Sequence, residues 1–114
     1  MQDLKIAQKV EDMIKERYQS LRQFPKSERH VASAQIREAM WELLELVIIC
    51  SKRYHKKTSL QDLDIKIALL RRQIRLAMQL KFLPMRQYEN WAKELDEIGR
   101  MTGGWIKSER RVAR

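Results

Sequence analysis

The sequence is poor in residues that interrupt helices and in residues that staple a fold covalently. Of its 114 residues, three are glycine, two are proline and one is cysteine. A single cysteine excludes an intramolecular disulfide framework and fits a reducing compartment. The scarcity of glycine and proline argues against a protein of many short strands and tight turns. No apolar run approaches the roughly 18 residues of a membrane span, and the N-terminus has no apolar signal region. We therefore expect a cytoplasmic protein that neither spans a membrane nor is exported by a standard signal.

The chain also lacks the residue combinations that catalysis and metal binding require. His30 and His55 are its only histidines, and Cys50 lies in an apolar run where thiol ionisation is disfavoured. Glu38 and Glu42 are one helical turn apart, but the Glu-x-x-His motif of metal-binding carboxylate bundles does not accompany them. There is no glycine-rich phosphate loop. We expect no catalytic residue, no metal site, no cofactor and no enzymatic activity.

Helix-forming residues dominate what is present, and their apolar positions recur at steps of three and four. Pro25 and Pro84 interrupt this periodicity, while Ser27 and Ser59 are candidate N-caps. Short connections favour antiparallel neighbours. The pattern predicts one all-α domain over residues 1–114, an antiparallel up-down four-helix bundle with helices at about 3–24, 28–53, 59–83 and 86–107 and a basic, frayed tail at 108–114. Gly99 and Gly103 fall one turn apart on one face of the fourth helix, which fits a close contact with another backbone or a large side chain, whereas the alternative is that Gly103 and Gly104 form a C-terminal cap.

Two apolar surfaces exceed what one bundle can bury. Residues 46–50 are apolar on every side of the second helix, and a helix that is apolar all round is buried all round. The third helix carries a core seam and also a second apolar stripe, which consists of Ile65, Leu69, Leu76, Leu80 and Leu83. We expect another copy of the chain to cover these surfaces. The predicted oligomer-interface residues are Leu69, Leu76, Leu80, Ile48 and Ile49.

Positive charge is concentrated in one third of the chain. The formal net charge is +9, and residues 51–88, with ten cations and two acids, carry +8 of it. No acid occurs between Ile65 and Tyr88. Arg71, Arg72 and Arg75 lie within about 100° of helical arc, and arginine suits bidentate contacts with phosphate. The alternatives are a solvated face or arginines paired across a subunit contact with Glu38, Glu42 or Glu45 of the second predicted helix. The predicted nucleic-acid-binding residues are Arg71, Arg72, Arg75, Lys66, Lys52, Arg53, Lys56 and Lys57.

Three sequence segments carry a family resemblance. They are Glu-Ile-Gly-Arg-Met-Thr-Gly-Gly-Trp-Ile at residues 97–106, Leu-Leu-Arg-Arg-Gln-Ile-Arg at 69–75, and the Pro25-Lys26 turn before a long apolar helix. The chain resembles the accessory variability determinant (Avd) proteins of diversity-generating retroelements. The resemblance implies a barrel-shaped homopentamer whose basic surface binds the retroelement's RNA and DNA and its reverse transcriptase. It extends to Arg71 and Arg75, whereas Arg72 rests on the charge argument alone.

Two alternative functions stay open at this stage. The resemblance also includes related four-helix proteins encoded within intervening sequences of ribosomal RNA genes, whose role is unknown. A basic stripe could instead dock an acidic protein partner, with nucleic acid irrelevant. A neighbouring reverse transcriptase gene would argue against the ribosomal intervening-sequence protein. Binding to nucleic acid would argue against the adaptor for an acidic protein.

Overall fold

The computed structural model describes residues 2–112, and within them the protein is built from four long helices. Helix α1 spans Gln2–Arg22, α2 Ala32–Lys52, α3 Lys57–Gln79 and α4 Met85–Val112, and a short 3-10 helix at Lys26–Glu28 precedes α2. Each helix contacts its two neighbours in the order α1–α2–α3–α4–α1. Connections this short relative to the helices make neighbours antiparallel. The predicted four-helix bundle is confirmed for this part of the chain, which measures 50 × 23 × 20 Å.

The predicted seams form the core. The apolar residues that form the predicted seam of α3 are all buried, and on α4 Trp91, Thr102 and Trp105 are buried. Tyr18 and Tyr88, which lie on the same seams, are half-buried at the margin of the core. Each fully buried leucine or isoleucine contributes about 1.5–3 kcal/mol relative to an exposed one. The buried seam of α3 comprises Leu60, Leu63, Ile67, Leu70, Ile74 and Ala77.

Both predicted serine N-caps are wrong. Pro25 starts a 3-10 turn, in which the Glu28 amide donates to the Pro25 carbonyl at 2.8 Å, and α2 begins only at Ala32. Helix α3 begins at Lys57, two residues before Ser59. Ser59 is therefore inside the helix, where it is buried and its hydroxyl accepts a hydrogen bond from Arg53 at 3.3 Å. Backbone turns fixed these starts, and neither helix has a side-chain cap.

Helix α3 ends four residues earlier than the sequence pattern indicates. Lys81 adopts a left-handed conformation with φ of 66°. The Phe82 amide donates to the Ala77 carbonyl, and the Lys81 amide donates to that of Met78, which is the Schellman pattern of a helix C-terminus. The chain reverses here, so Leu83 turns into the core and does not belong to the second apolar stripe.

Helix α4 extends beyond its predicted end. It runs without a break through Gly103 and Gly104 to Val112, so the glycine pair is not a C-terminal cap. The tail predicted to be frayed is helical through residue 112, and residues 113–114 lie outside the described residues. No helix in residues 2–112 is long and apolar enough to cross a membrane.

Candidate nucleic-acid interface

The three arginines of α3, which we call the arginine band, lie beside its buried seam. Arg71, Arg72 and Arg75 are all exposed. Successive residues rotate by about 100° along a helix, so the three occupy the arc between the buried seam and the opposite side of α3. Arg71 lies nearest to α4, and Arg72 lies next to the apolar residues that face away from the core.

Arg71 has a counter-charge on another helix, although its own helix offers it no nearby acid. Its Nη2 lies 3.4 Å from the Asp96 carboxylate of α4 and donates to the Leu95 carbonyl at 3.4 Å. The pair is long and open to solvent, since the two side chains are 45% and 58% exposed. An exposed ion pair of this kind contributes about 0–1 kcal/mol. The partner comes from a neighbouring helix, which spacing within α3 does not reveal.

Arg72 and Arg75 differ from Arg71 in having no counter-charge. Within residues 2–112 neither guanidinium has an ion pair or a hydrogen bond. Each keeps five donors, and neither has an acidic neighbour along α3, because α3 has no acid after Asp64. These two side chains therefore provide the uncompensated charge of the arginine band.

Lys66 is half-buried, unlike most of the predicted binding residues. Its ammonium group lies 2.5 Å from the Glu42 carboxylate of α2, and its side chain is only 22% exposed. The contact joins α2 to α3 and compensates the charge of Lys66. Glu42 of α2 therefore forms its ion pair with α3 of the same chain, and Lys66 has a structural role in the part of the chain that the structure describes.

The connection between α2 and α3 divides its four cations between two roles. Lys56 is half-buried and donates to three carbonyls at the end of α2, those of Cys50, Ser51 and Arg53. It therefore closes the α2 C-terminus, where a cation also complements the helix dipole. The remaining cations of this connection are exposed, and they are Lys52, Arg53 and Lys57.

An exposed aromatic pair and an uncapped helix start accompany these cations. Tyr54 is 90% exposed, and its ring meets that of His55 edge to face at a centroid distance of 4.8 Å. Helix α3 starts beside them with no side-chain cap and no acid in its first turn. Free amide groups and the positive end of a helix dipole favour a bound anion, and cations there repel the dipole unless an anion joins them.

The second apolar stripe of α3 is exposed in the single chain. Leu69, Leu76 and Leu80 are 47%, 55% and 54% exposed, and Ile65 shares their side of the helix. We call these four residues the exposed stripe. It lies on the side of α3 away from the seam, so the bundle itself has no residues to cover it. Arg72 lies within about 40° of Ile65 and Leu76 around the helix axis.

Residues 46–50 of α2 are not buried on every side within one chain. Val47 and Cys50 are in the core, Ile49 is half-buried and Ile48 is exposed. Trp41, one heptad before Ile48, is also exposed, and its indole N–H donates to the Tyr18 hydroxyl of α1 at 2.8 Å. A second exposed apolar surface therefore lies on the α1-facing side of α2.

A buried polar cluster between α1 and α4 was missed from the sequence. Arg17 is buried, with its Nε 3.0 Å from Glu94 and its Nη2 3.0 Å from Glu16. Burial, together with a hydrogen bond to Glu16, raises the pKa of Glu94 to about 8, against the opposing effect of Arg17. The same hydrogen bond and Arg17 lower the pKa of Glu16. The only sign of this cluster in the sequence was Arg17, a charged residue next to the buried face of α1.

In the part of the chain that the structure describes, Cys50 is unreactive and the possible metal ligands are not grouped together. Burial raises the pKa of the Cys50 thiol to about 11, so the thiolate is scarce at neutral pH. No group of three histidine, cysteine, aspartate or glutamate side chains in residues 2–112 is arranged to hold a metal ion.

Comparison with known families gives one match over almost the whole chain. The model of a family described as bAvd-like matches residues 4–109. The match includes all three segments on which the resemblance to Avd proteins was based. No curated protein matches the chain at a significant level.

Proposed function

The chain belongs to the bAvd-like family, and from this premise we propose that it is a non-catalytic accessory protein of a diversity-generating retroelement. In this role it binds the element's RNA and DNA together with a reverse transcriptase, and it supports template-directed mutagenic retrohoming. The polymerase supplies the chemistry, and this protein holds template and enzyme together.

The observation that carries the proposal is that Arg72 and Arg75 are exposed, on an acid-free stretch of α3, and have no counter-charge among residues 2–112. Guanidinium groups left uncompensated on a rigid helix are ready to form bidentate contacts with phosphate. Arg71 joins them from the groove next to α4, where its weak pair with Asp96 leaves it able to reach a phosphate.

The cationic surface continues toward the start of α3. Lys52, Arg53 and Lys57 surround Tyr54, which offers a ring for base stacking. Contacts of this kind reach mainly the sugar-phosphate backbone, so we expect binding with little sequence preference. Lys56 and Lys66 contribute less than the sequence analysis assigned to them, because the fold already uses their ammonium groups.

We further propose that the protein assembles into a homo-oligomeric barrel, a pentamer by family resemblance. The exposed stripe on α3 and the Trp41–Ile48 surface on α2 are two different apolar surfaces of one chain. A contact between two different surfaces repeats head to tail, and it gives a closed ring when the rotation per subunit allows. Since Arg72 borders the exposed stripe, such a ring repeats the arginine band around its circumference.

The test compares two charge-reversal variants of equal net charge. In Arg72→Glu/Arg75→Glu the uncompensated arginines of α3 are reversed. In the control, Lys5→Glu/Lys15→Glu, two exposed lysines of α1 are reversed, and α1 lies diagonally across the bundle from α3. Fluorescence anisotropy with a labelled single-stranded RNA measures the affinity as a function of salt concentration.

We expect the α3 variant to lose most of its RNA affinity and the α1 control to lose much less. The slope of log affinity against log salt should become shallower by about 1.4 in the α3 variant, since about 0.7 is lost per phosphate contact with a single strand. Equal losses in the two variants would show that only net charge matters. An absence of RNA binding by the native protein at physiological salt would favour an adaptor for an acidic protein instead.

A further inference from the structure

Gly99 of α4 lies directly beneath the Arg71 guanidinium. A Cβ atom placed on Gly99 would be 2.5 Å from Arg71 Nη2 and 3.6 Å from its Cζ. Real Cβ atoms essentially never approach another heavy atom within 3.0 Å, so any side chain at position 99 displaces the guanidinium. We propose that Gly99 is a positioning residue, which seats Arg71 so that its free donors are held ready for a phosphate of bound nucleic acid. This inference rests on the proposed function.

We call the site that holds the Arg71 guanidinium the seat. It is a groove between α3 and α4, and a side chain at position 99 would fill it. Arg71, Gly99, Arg100 and Asp96 line it, and Ile67 closes its inner side, 3.9 Å from the same Cβ position. Because the groove is open to solvent, a polyanion can reach the guanidinium without a change in the fold.

The contacts in the seat use one nitrogen of Arg71 and leave the others available. Nη2 alone makes both contacts, the hydrogen bond to the Leu95 carbonyl and the pair with Asp96. Nε and Nη1 have no partner within residues 2–112. Nε and Nη1 lie on different edges of the guanidinium, so each can donate a hydrogen bond to a phosphate without breaking the contacts of Nη2.

Seating an arginine raises affinity because it removes freedom before binding. The arginine side chain loses more rotamer freedom on immobilisation than most others. If α4 has already restricted that freedom, less is lost when RNA binds, and the affinity is higher. Gly99 acts on binding through Arg71 and need not touch the ligand.

Gly99→Ala separates this role from a structural one, since its effects on stability and on binding have opposite signs. Alanine favours a helix over glycine, and the atom it meets is the mobile tip of Arg71, so the fold adjusts by moving that side chain. We expect the melting temperature to rise by about 4 °C. RNA affinity is expected to fall about two- to tenfold, with a salt slope shallower by about 0.7.

Gly103→Ala is the matched control, one helical turn along α4. A Cβ on Gly103 would have no heavy atom within 4 Å apart from its own helix backbone and its chain neighbours. This variant should gain similar stability and keep the RNA affinity of the native protein. In an Arg71→Gln background, Gly99→Ala should cause no further loss of affinity.

The results of these experiments decide whether Gly99 positions Arg71 for binding. The inference is overturned if Gly99→Ala binds RNA as tightly as Gly103→Ala, or if it weakens binding equally in the Arg71→Gln background. If Arg71→Gln leaves affinity unchanged while Arg72→Glu/Arg75→Glu abolishes it, the seat has no role in binding but the proposed function stands. If the native protein binds no RNA, the proposed function fails first.

Discussion

Replacing Leu76 with aspartate tests whether the exposed stripe is a subunit interface. Leu69, Leu76 and Leu80 each have about half of their surface exposed, and covering the remainder contributes about 1 kcal/mol per leucine. Leu76→Asp removes one such contribution and places a carboxylate in the contact, which costs several kcal/mol more if it is desolvated without a partner. A total loss of about 3 kcal/mol weakens subunit association more than a hundredfold.

Light scattering coupled to size-exclusion chromatography gives the mass of the assembly, and circular dichroism reports whether the bundle remains folded. We expect Leu76→Asp to give a folded, helical species of lower mass, because Leu76 lies outside the core. Leu4→Asp is the control, since Leu4 is at least as exposed as Leu76 but lies on α1, away from the stripe. If Leu76→Asp kept the native mass, or if Leu4→Asp reduced it by as much, the stripe would not be the interface.

Two further predictions concern stability. Lys81→Gly should raise the free energy of unfolding by about 1 kcal/mol, because Lys81 holds a left-handed conformation that favours glycine. In urea denaturation the exposed helical control Lys93→Gly should lower it by about 0.7 kcal/mol, and a destabilised Lys81→Gly would contradict this reasoning. The folded protein holds a proton on Glu94 up to about pH 8, while the unfolded chain releases it near pH 4.5, so stability from this group falls as pH rises between these values. Thermal melts across that range should show a smaller decline in Glu94→Gln, and identical declines would refute the assignment.

The helices of this protein could be predicted from the sequence, but their ends could not. Apolar periodicity is a local signal repeated over many residues, so the four helices and their buried faces were correct. Helix ends depend on a few backbone hydrogen bonds. The 3-10 turn after Pro25 and the left-handed Lys81 moved two of them by four residues, because a helix cap contributes only about 1 kcal/mol and is easily outweighed.

The candidate nucleic-acid interface was also predictable only in part from the sequence. Its location on α3 followed from charge counting along the sequence, since no acid occurs between Ile65 and Tyr88. The sequence did not reveal which of these cations are already paired with other groups of the fold. Asp96 on α4 and Glu42 on α2 take up Arg71 and Lys66, and the carbonyls at the end of α2 take up Lys56. These partners are distant in sequence, so only helix packing brings them within reach.

The sequence by itself determined the helical class, the family and the face of the third helix that carries the charge, because each of these depends on residue types and their spacing. Tertiary structure alone decided that Arg72 and Arg75 have no counter-charge in the part of the chain that the structure describes, and that Gly99 lies beneath Arg71. The physical reason is range. Ion pairing and steric contact act over a few ångströms between side chains, and the chain's own order does not say which distant residues come that close.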